Sequence, residues 1–157
     1  METPKRYKAP RAGVLLMTPD KSRLLLIYGA ISNKWSPPKG GMEPGETPAQ
    51  NAMRECSEET GLNVRISTTM QPINIRKQQY FCLIGDEDTA KLKLQPYDTH
   101  EVARVAWLTW DEIMALPKDA CNAITMELKR DTTREKIQRL AVPTAVSCAD
   151  PPMPWVP

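Results

Sequence analysis

The stretch from Gly40 to Leu62, GGMEPGETPAQNAMRECSEETGL, specifies a helix with both ends marked. Gly40, Gly41, Pro44 and Gly45 punctuate a loop, after which Thr47 suits the N-cap, Pro48 the first helical position and Gln50 the reciprocal slot of a Thr-x-x-Gln capping box. Gly61 stops the helix from the position that favours a left-handed backbone. At 3.6 residues per turn, Glu55, Glu58 and Glu59 share one face, while Ala49, Ala52, Cys56 and Thr60 share the opposite, mostly apolar one. Like charges at this spacing cost a helix rather than support it. A cation is therefore expected among them, and a hard divalent ion takes carboxylate, water, phosphate and loop carbonyl oxygens. Arg54 is placed to brace one carboxylate through paired hydrogen bonds. Taken alone, the same run of charge also suits a solvated acidic face.

The complete pattern decides between these readings. Gly40, Glu46, Arg54, Glu55, Glu58, Glu59, Gly61 and Leu62 stand, without a gap, at the spacing of the signature box of the Nudix hydrolases, which this stretch resembles. Cys56 replaces the usual Ile, Leu or Val, a mild departure because buried cysteine behaves as a small hydrophobe. The resemblance implies an α/β fold, an α/β/α sandwich around a mixed central sheet, with a loop-helix-loop metal site. It implies hydrolysis of a phosphoanhydride by water with Mg²⁺ or Mn²⁺ as cofactor. Glu55, Glu58 and Glu59 fall on metal-ligand slots, Glu58 and Glu59 as the most direct, and a carbonyl at Gly40 or Lys39 is the loop ligand. Arg54 and Glu46 fall on slots that orient those carboxylates. The general base comes from the box helix or from Glu101, whose place before a late strand matches the base of several subfamilies.

A chain of 157 residues supports one domain. Its 21 basic and 19 acidic residues leave a net charge of +2, too little to claim a nucleic-acid partner from charge. No apolar run is long enough for a membrane span. Residues 1–13 lack the apolar core of a cleavable signal, so Met1-Glu2-Thr3-Pro4 reads as a cytoplasmic start, with an organelle left open. Cys56, Cys82, Cys121 and Cys148 show no paired spacing, which points to reduced thiols and away from zinc. His100 is the single histidine, which excludes multi-histidine metal centres.

Residues 12–17 and 23–28 are apolar runs around turn residues 18–22 and predict a β-hairpin. Residues 63–75, rich in β-branched side chains, predict a strand broken or bent near Pro72, and residues 79–84 another. Residues 86–100 are polar and read as a mobile loop, followed by a half-buried strand over 102–107. A short helix is expected over 110–116 and a longer one from Asp119 or Asn122 to Leu140, with a break allowed after Lys129. Residues 1–141 form the domain. The proline-rich tail, 142–157, is expected to be irregular, with its end, Pro154-Trp155-Val156-Pro157, open to a protein partner.

Lys39 is placed to meet substrate phosphate as a point charge, and Arg11 to assist. Tyr80 and Trp35 are candidates for base stacking, Phe81 and Trp107 read as core, and His100 is a candidate phosphate contact or base. Trp35-Ser36-Pro37-Pro38-Lys39-Gly40 and His100-Glu101 resemble the asymmetrical diadenosine tetraphosphate hydrolases. Gly41-Met42-Glu43-Pro44 is similar to diphosphoinositol polyphosphate phosphohydrolases, and the Pro-Lys-Gly turn with the late Glu is similar to RNA decapping enzymes and 5′-pyrophosphohydrolases. A dinucleoside polyphosphate is the favoured substrate and an RNA 5′ end the second. A diphosphoinositol would want a denser cluster than Arg11, Lys34, Lys39, Arg76 and Lys77 suggest. A catalytically weak module that binds nucleotide or RNA in a larger assembly is the reading from another class.

Overall fold

The computed structural model describes residues 10–150. In chain order it contains β1 (Arg11–Met17), β2 (Arg23–Gly29), β3 (Trp35–Ser36), β4 (Lys39–Gly41), α1 (Pro48–Thr60), β5 (Leu62–Asn63), β6 (Ile73–Ile75) and β7 (Gln78–Ile84). There follow β8 (Val102–Thr109), α2 (Trp110–Ala115), α3 (Ala123–Leu128), α4 (Asp131–Leu140), β9 (Val142–Pro143) and β10 (Ser147–Cys148). The sheet is mixed. β1 runs parallel to β7 from Ala12↔Gln79 to Met17↔Ile84 and antiparallel to β4 from Arg11↔Gly41 to Gly13↔Lys39. β2 meets β1 at Met17↔Leu24 and lies along β8 over its whole length.

Unbroken apolar sequence in β1 means burial on both faces. Leu15 and Met17 join one core with Leu24, Leu26, Ile113, Leu128 and Ile137, beneath α2, α3 and α4. Val14 and Leu16 join the other with Ala52, Cys56 and Phe81, beneath α1. Helices thus cover both faces of the sheet, the α/β/α arrangement expected. The cysteine in the signature box is fully buried in this second core, where it does the packing work of an aliphatic residue.

Three expectations change and one open alternative is decided. Only Leu62–Asn63 and Ile73–Ile75 of the predicted 63–75 strand are extended pairs; between them Val64 and Ile66 bury their side chains without a ladder. The long carboxy-terminal helix divides, as allowed, at Lys129 and Arg130: Arg130 is extended, and the Lys129 ammonium donates to the Leu116 carbonyl. Residues 86–100 are tied to the helix end by Gln95 N–H to Thr60 O and by Tyr97 N–H and Asp98 N–H to Glu58 O. The tail contains two short strands rather than none. β9 pairs with β7 and β10 with β5, and the Thr144 hydroxyl bonds Arg65 O at 2.9 Å while receiving Arg65 N–H at 3.0 Å. The expected start at Met1–Pro4 and the partner-binding end at 154–157 lie outside the described residues.

Candidate active site

The caps of α1 form as the sequence specifies. Gln50 N–H donates to Thr47 Oγ1 at 3.1 Å and Thr47 N–H to Gln50 Oε1 at 3.0 Å, while Gly61 takes φ +77°. A Cβ at Gly61 would also come within 2.5 Å of Gln95 O, so the loop leading toward Glu101 packs on the helix end only because that position is glycine.

Arg54 organises the acidic face. Its Nε and Nη2 donate to the two oxygens of Glu46 at 2.7 and 3.0 Å, and Nη1 donates to Glu55 at 3.0 Å and Glu58 at 3.3 Å. A second Nη2 bond reaches Gly41 O at 3.0 Å, which fixes the glycine loop to the helix. The fork from Arg54 holds Glu46 below the usual carboxylate range and raises the guanidinium further above its own.

Glu59 is buried, and its Oε1 receives Lys39 N–H at 2.8 Å. Desolvation outweighs that bond and pushes its carboxyl up to about 8; desolvation likewise brings Glu55 to about 7 in spite of Arg54. β4 presses against this pair: a Cβ on Gly40 would stand 2.2 Å from the Glu55 carboxylate. Burial, then the neighbouring Arg11, lowers the Lys39 ammonium.

One cleft of about 510 Å³ is lined by Glu55, Glu59 and Glu101 together with Arg11, Lys34, Lys39, Gly40 and Gly41. Glu101 is placed by its backbone: its N–H donates to Asp98 Oδ1 at 3.2 Å and its carbonyl receives Ala30 N–H at 2.8 Å. A larger hollow of about 720 Å³, lined by Leu83, Leu140 and Val142 among others, opens at the opposite end of β1 and β7 and has no carboxylate in its walls.

Not every predicted residue reaches the cleft. Glu58 is 44% exposed at its side chain, turns toward Arg54 and lies outside the lining, as does exposed His100. Tyr80 is 0% exposed in the core, with its hydroxyl donating to Gln78 at 2.8 Å, so it has no face for a base. Trp35 is also core, packed at 5.3 Å against Tyr28 with the Arg104 guanidinium over both rings. Both stacking assignments are therefore withdrawn: strands buried on both faces leave neither aromatic ring a face open to the cleft. Phe81 is core as expected, and Trp107 is partly buried against the second core.

Asn51 was not foreseen. Fully buried, it accepts Ala12 N–H at 2.9 Å and donates to Gly41 O at 3.0 Å, joining α1 to β1 and β4. The available signal was an amide one turn before Glu55, on the face that meets the glycine loop. Asn51→Ala, leaving the buried Ala12 N–H unpaired while Gly41 O keeps its bond from Arg54, is expected to cost about 1–3 kcal/mol of stability, measurable by urea unfolding.

Among the described residues no three acidic, histidine or cysteine side chains are grouped so as to hold a metal ion by themselves. Two desolvated carboxylates beside backbone oxygens of a glycine strand nevertheless fit a hard divalent ion that keeps waters and takes phosphate oxygens from its substrate. Carboxylate and basic side chains thus line the same cleft. Residues 7–128 match the family model for the NUDIX domain, and the chain belongs to the Nudix family, whose enzymes act on pyrophosphate bonds of nucleotide-like substrates using divalent metal ions. It is 28% identical over 133 residues to an RNA pyrophosphohydrolase of Sulfurovum sp. (strain NBC37-1), covering 72% of this chain and 84% of that protein. Over 40 residues it is 55% identical to the asymmetrical bis(5′-nucleosyl)-tetraphosphatase of Sus scrofa, covering 26% of this chain and 27% of that one. A crystal structure of a NUDIX-family hydrolase from Clostridium perfringens matches with TM-score 0.59 at 15% identity, covering 86% of this chain and 99% of that one, a likeness of fold. Among the described residues no helix is long and apolar enough to cross a membrane.

Proposed function

We propose that this Nudix pyrophosphohydrolase cleaves a dinucleoside polyphosphate of the diadenosine tetraphosphate kind by attack of water on a phosphorus of the chain. The observation that carries the reading is the cleft itself, lined by three carboxylates together with Arg11, Lys34 and Lys39. Glu55 and Glu59, with the Gly40 carbonyl and with Glu58 once it turns from Arg54, would hold Mg²⁺ or Mn²⁺. A divalent ion held there would neutralise phosphate oxygens and lower the pKa of water. Arg54 and Glu46 keep the carboxylates in place. Lys39 and Arg11 meet the phosphates, and Glu101 accepts the proton of the attacking water. Glu101→Gln is expected to reduce turnover by about 10²-fold or more. Near-full activity in that variant would move the base to Glu55 or Glu58.

A 5′-triphosphorylated or capped RNA end is the second reading, favoured by the Sulfurovum RNA pyrophosphohydrolase, whose likeness runs along most of both chains. A diphosphoinositol is less well served, because Arg76 is 3.6 Å from Glu127 in a separate turn and, among the described residues, Arg11, Lys34 and Lys39 are the basic side chains that line the cleft. Metal-dependent phosphate release from diadenosine tetraphosphate, triphosphorylated RNA, capped RNA and diphosphoinositol would rank these substrates. Turnover of none would leave a binding module.

A further inference from the structure

One wall of the cleft is made by residues outside the carboxylate set. The loop between β2 and β3, residues 30–34, closes on itself through Gly29 N–H to Lys34 O at 3.0 Å and Asn33 N–H to Gly29 O at 3.1 Å, with Asn33 at φ +57°. Closure leaves Ile31 at the mouth, 69% exposed, the most exposed large hydrophobic side chain among the described residues. Scattered exposed apolar residues are ordinary. This one lines the same cleft as Glu55, Glu59 and Glu101, together with Ser32 and Lys34. The loop is also fixed to the candidate base, since Ala30 N–H donates to Glu101 O at 2.8 Å.

Asn122, the N-cap of α3, lines the cleft too. Its Oδ1 is occupied by Thr125 N–H at 2.9 Å and the Thr125 hydroxyl at 2.8 Å, whereas Nδ2 has no partner among the described residues. The cap interaction therefore fixes the amide with its donor free. An apolar side chain and a fixed N–H donor in one cleft suit a flat heteroaromatic ring that carries an acceptor. Arg11 and Lys39 in the same cleft are suited to the phosphates.

We infer that the 30–34 loop and Asn122 form the seat for one nucleobase of the substrate, with Ile31 against the ring and Asn122 Nδ2 donating to a ring nitrogen or carbonyl oxygen. The inference rests on the polyphosphate reading and adds to it the nucleoside end of the substrate. Anchoring to Glu101 holds the base seat at a set distance from the group that takes the proton.

The test compares wild type with Ile31→Ser, at an exposed position, and Asn122→Ser, which keeps an oxygen for the α3 cap. The readouts are KM for diadenosine tetraphosphate, Kd for a methylene-bridged analogue by calorimetry, and the inhibition constant of inorganic tripolyphosphate, which has phosphates and no base. Each substitution is expected to raise KM and Kd together by about 5-fold, from lost apolar contact in one case and a lost hydrogen bond in the other, with the tripolyphosphate constant within about twofold. Unmoved KM and Kd in both variants, or an equal rise for tripolyphosphate, would overturn the base seat while wild-type turnover keeps the polyphosphate reading. Wild type that neither turns over the nucleotide nor binds its analogue would overturn both.

Discussion

Glu59→Gln is expected to lower turnover by more than about 100-fold, beyond the roughly 10–100-fold typical when an outer partner of a metal ligand is lost. The same substitution should raise the melting temperature of metal-free protein at pH 8. The two effects have one origin. Glu59 is buried, and the cost of ionising it there brings its carboxyl to about 8 from an ordinary 4.5. Because the folded value lies above the unfolded one, its stabilising contribution is fully present below about pH 4.5 and is lost as pH rises through about 8. Metal-free wild type should therefore lose stability across that window. Glutamine keeps an acceptor for Lys39 N–H and carries no charge, so the variant should show a shallower pH slope. A melting series from pH 5 to 9 without metal checks this. Equal slopes in the two proteins would show that Glu59 is not the strained group.

Gly40→Ala is expected to cost about 10²-fold in turnover with little loss of fold, since misplacing a reacting group by about 1 Å can have that effect. The new methyl carbon would lie 2.2 Å from the Glu55 carboxylate, so Glu55 must swing away. The end of a glutamate side chain moves at small cost to folding. Arg54 bonds the same carboxylate at 3.0 Å and limits where it can go. Melting temperature and kcat, measured on one preparation, separate the effects. A large drop in stability with proportionate loss of activity would mean that the loop, rather than the carboxylate, had been displaced.

These outcomes follow from interactions that differ in how visible they are along the chain. The α1 caps are local: Thr47, Pro48, Gln50 and Gly61 act on neighbours within a turn, and all four take their expected places. The β1–β2 hairpin and the carboxylate spacing are local in the same sense. The strands of the tail depend on partners far away in sequence, as in Ala149 N–H to Gly61 O and Thr144 with Arg65, and proline content alone concealed them. Tyr80 and Trp35 are core because both faces of the sheet are covered, a burial that depends on partners distant in sequence such as Arg104 over the Trp35 ring. Asn51 and Asn122 look like ordinary helix polar residues until the folded chain brings Gly41 to the first and the cleft to the second.

The central claim is that Glu55 and Glu59 are strained carboxylates whose strain a divalent cation relieves. Calorimetric titration of Mn²⁺ into wild type and Glu59→Gln at pH 6 and pH 8, in buffers of different ionisation enthalpy, tests it directly. Wild type should bind more tightly at pH 8 and release protons on binding at pH 6, because the ligands must be deprotonated, and Glu59→Gln should bind far more weakly at both. Equal affinity in the two proteins, or binding in wild type without proton release at pH 6, would contradict it.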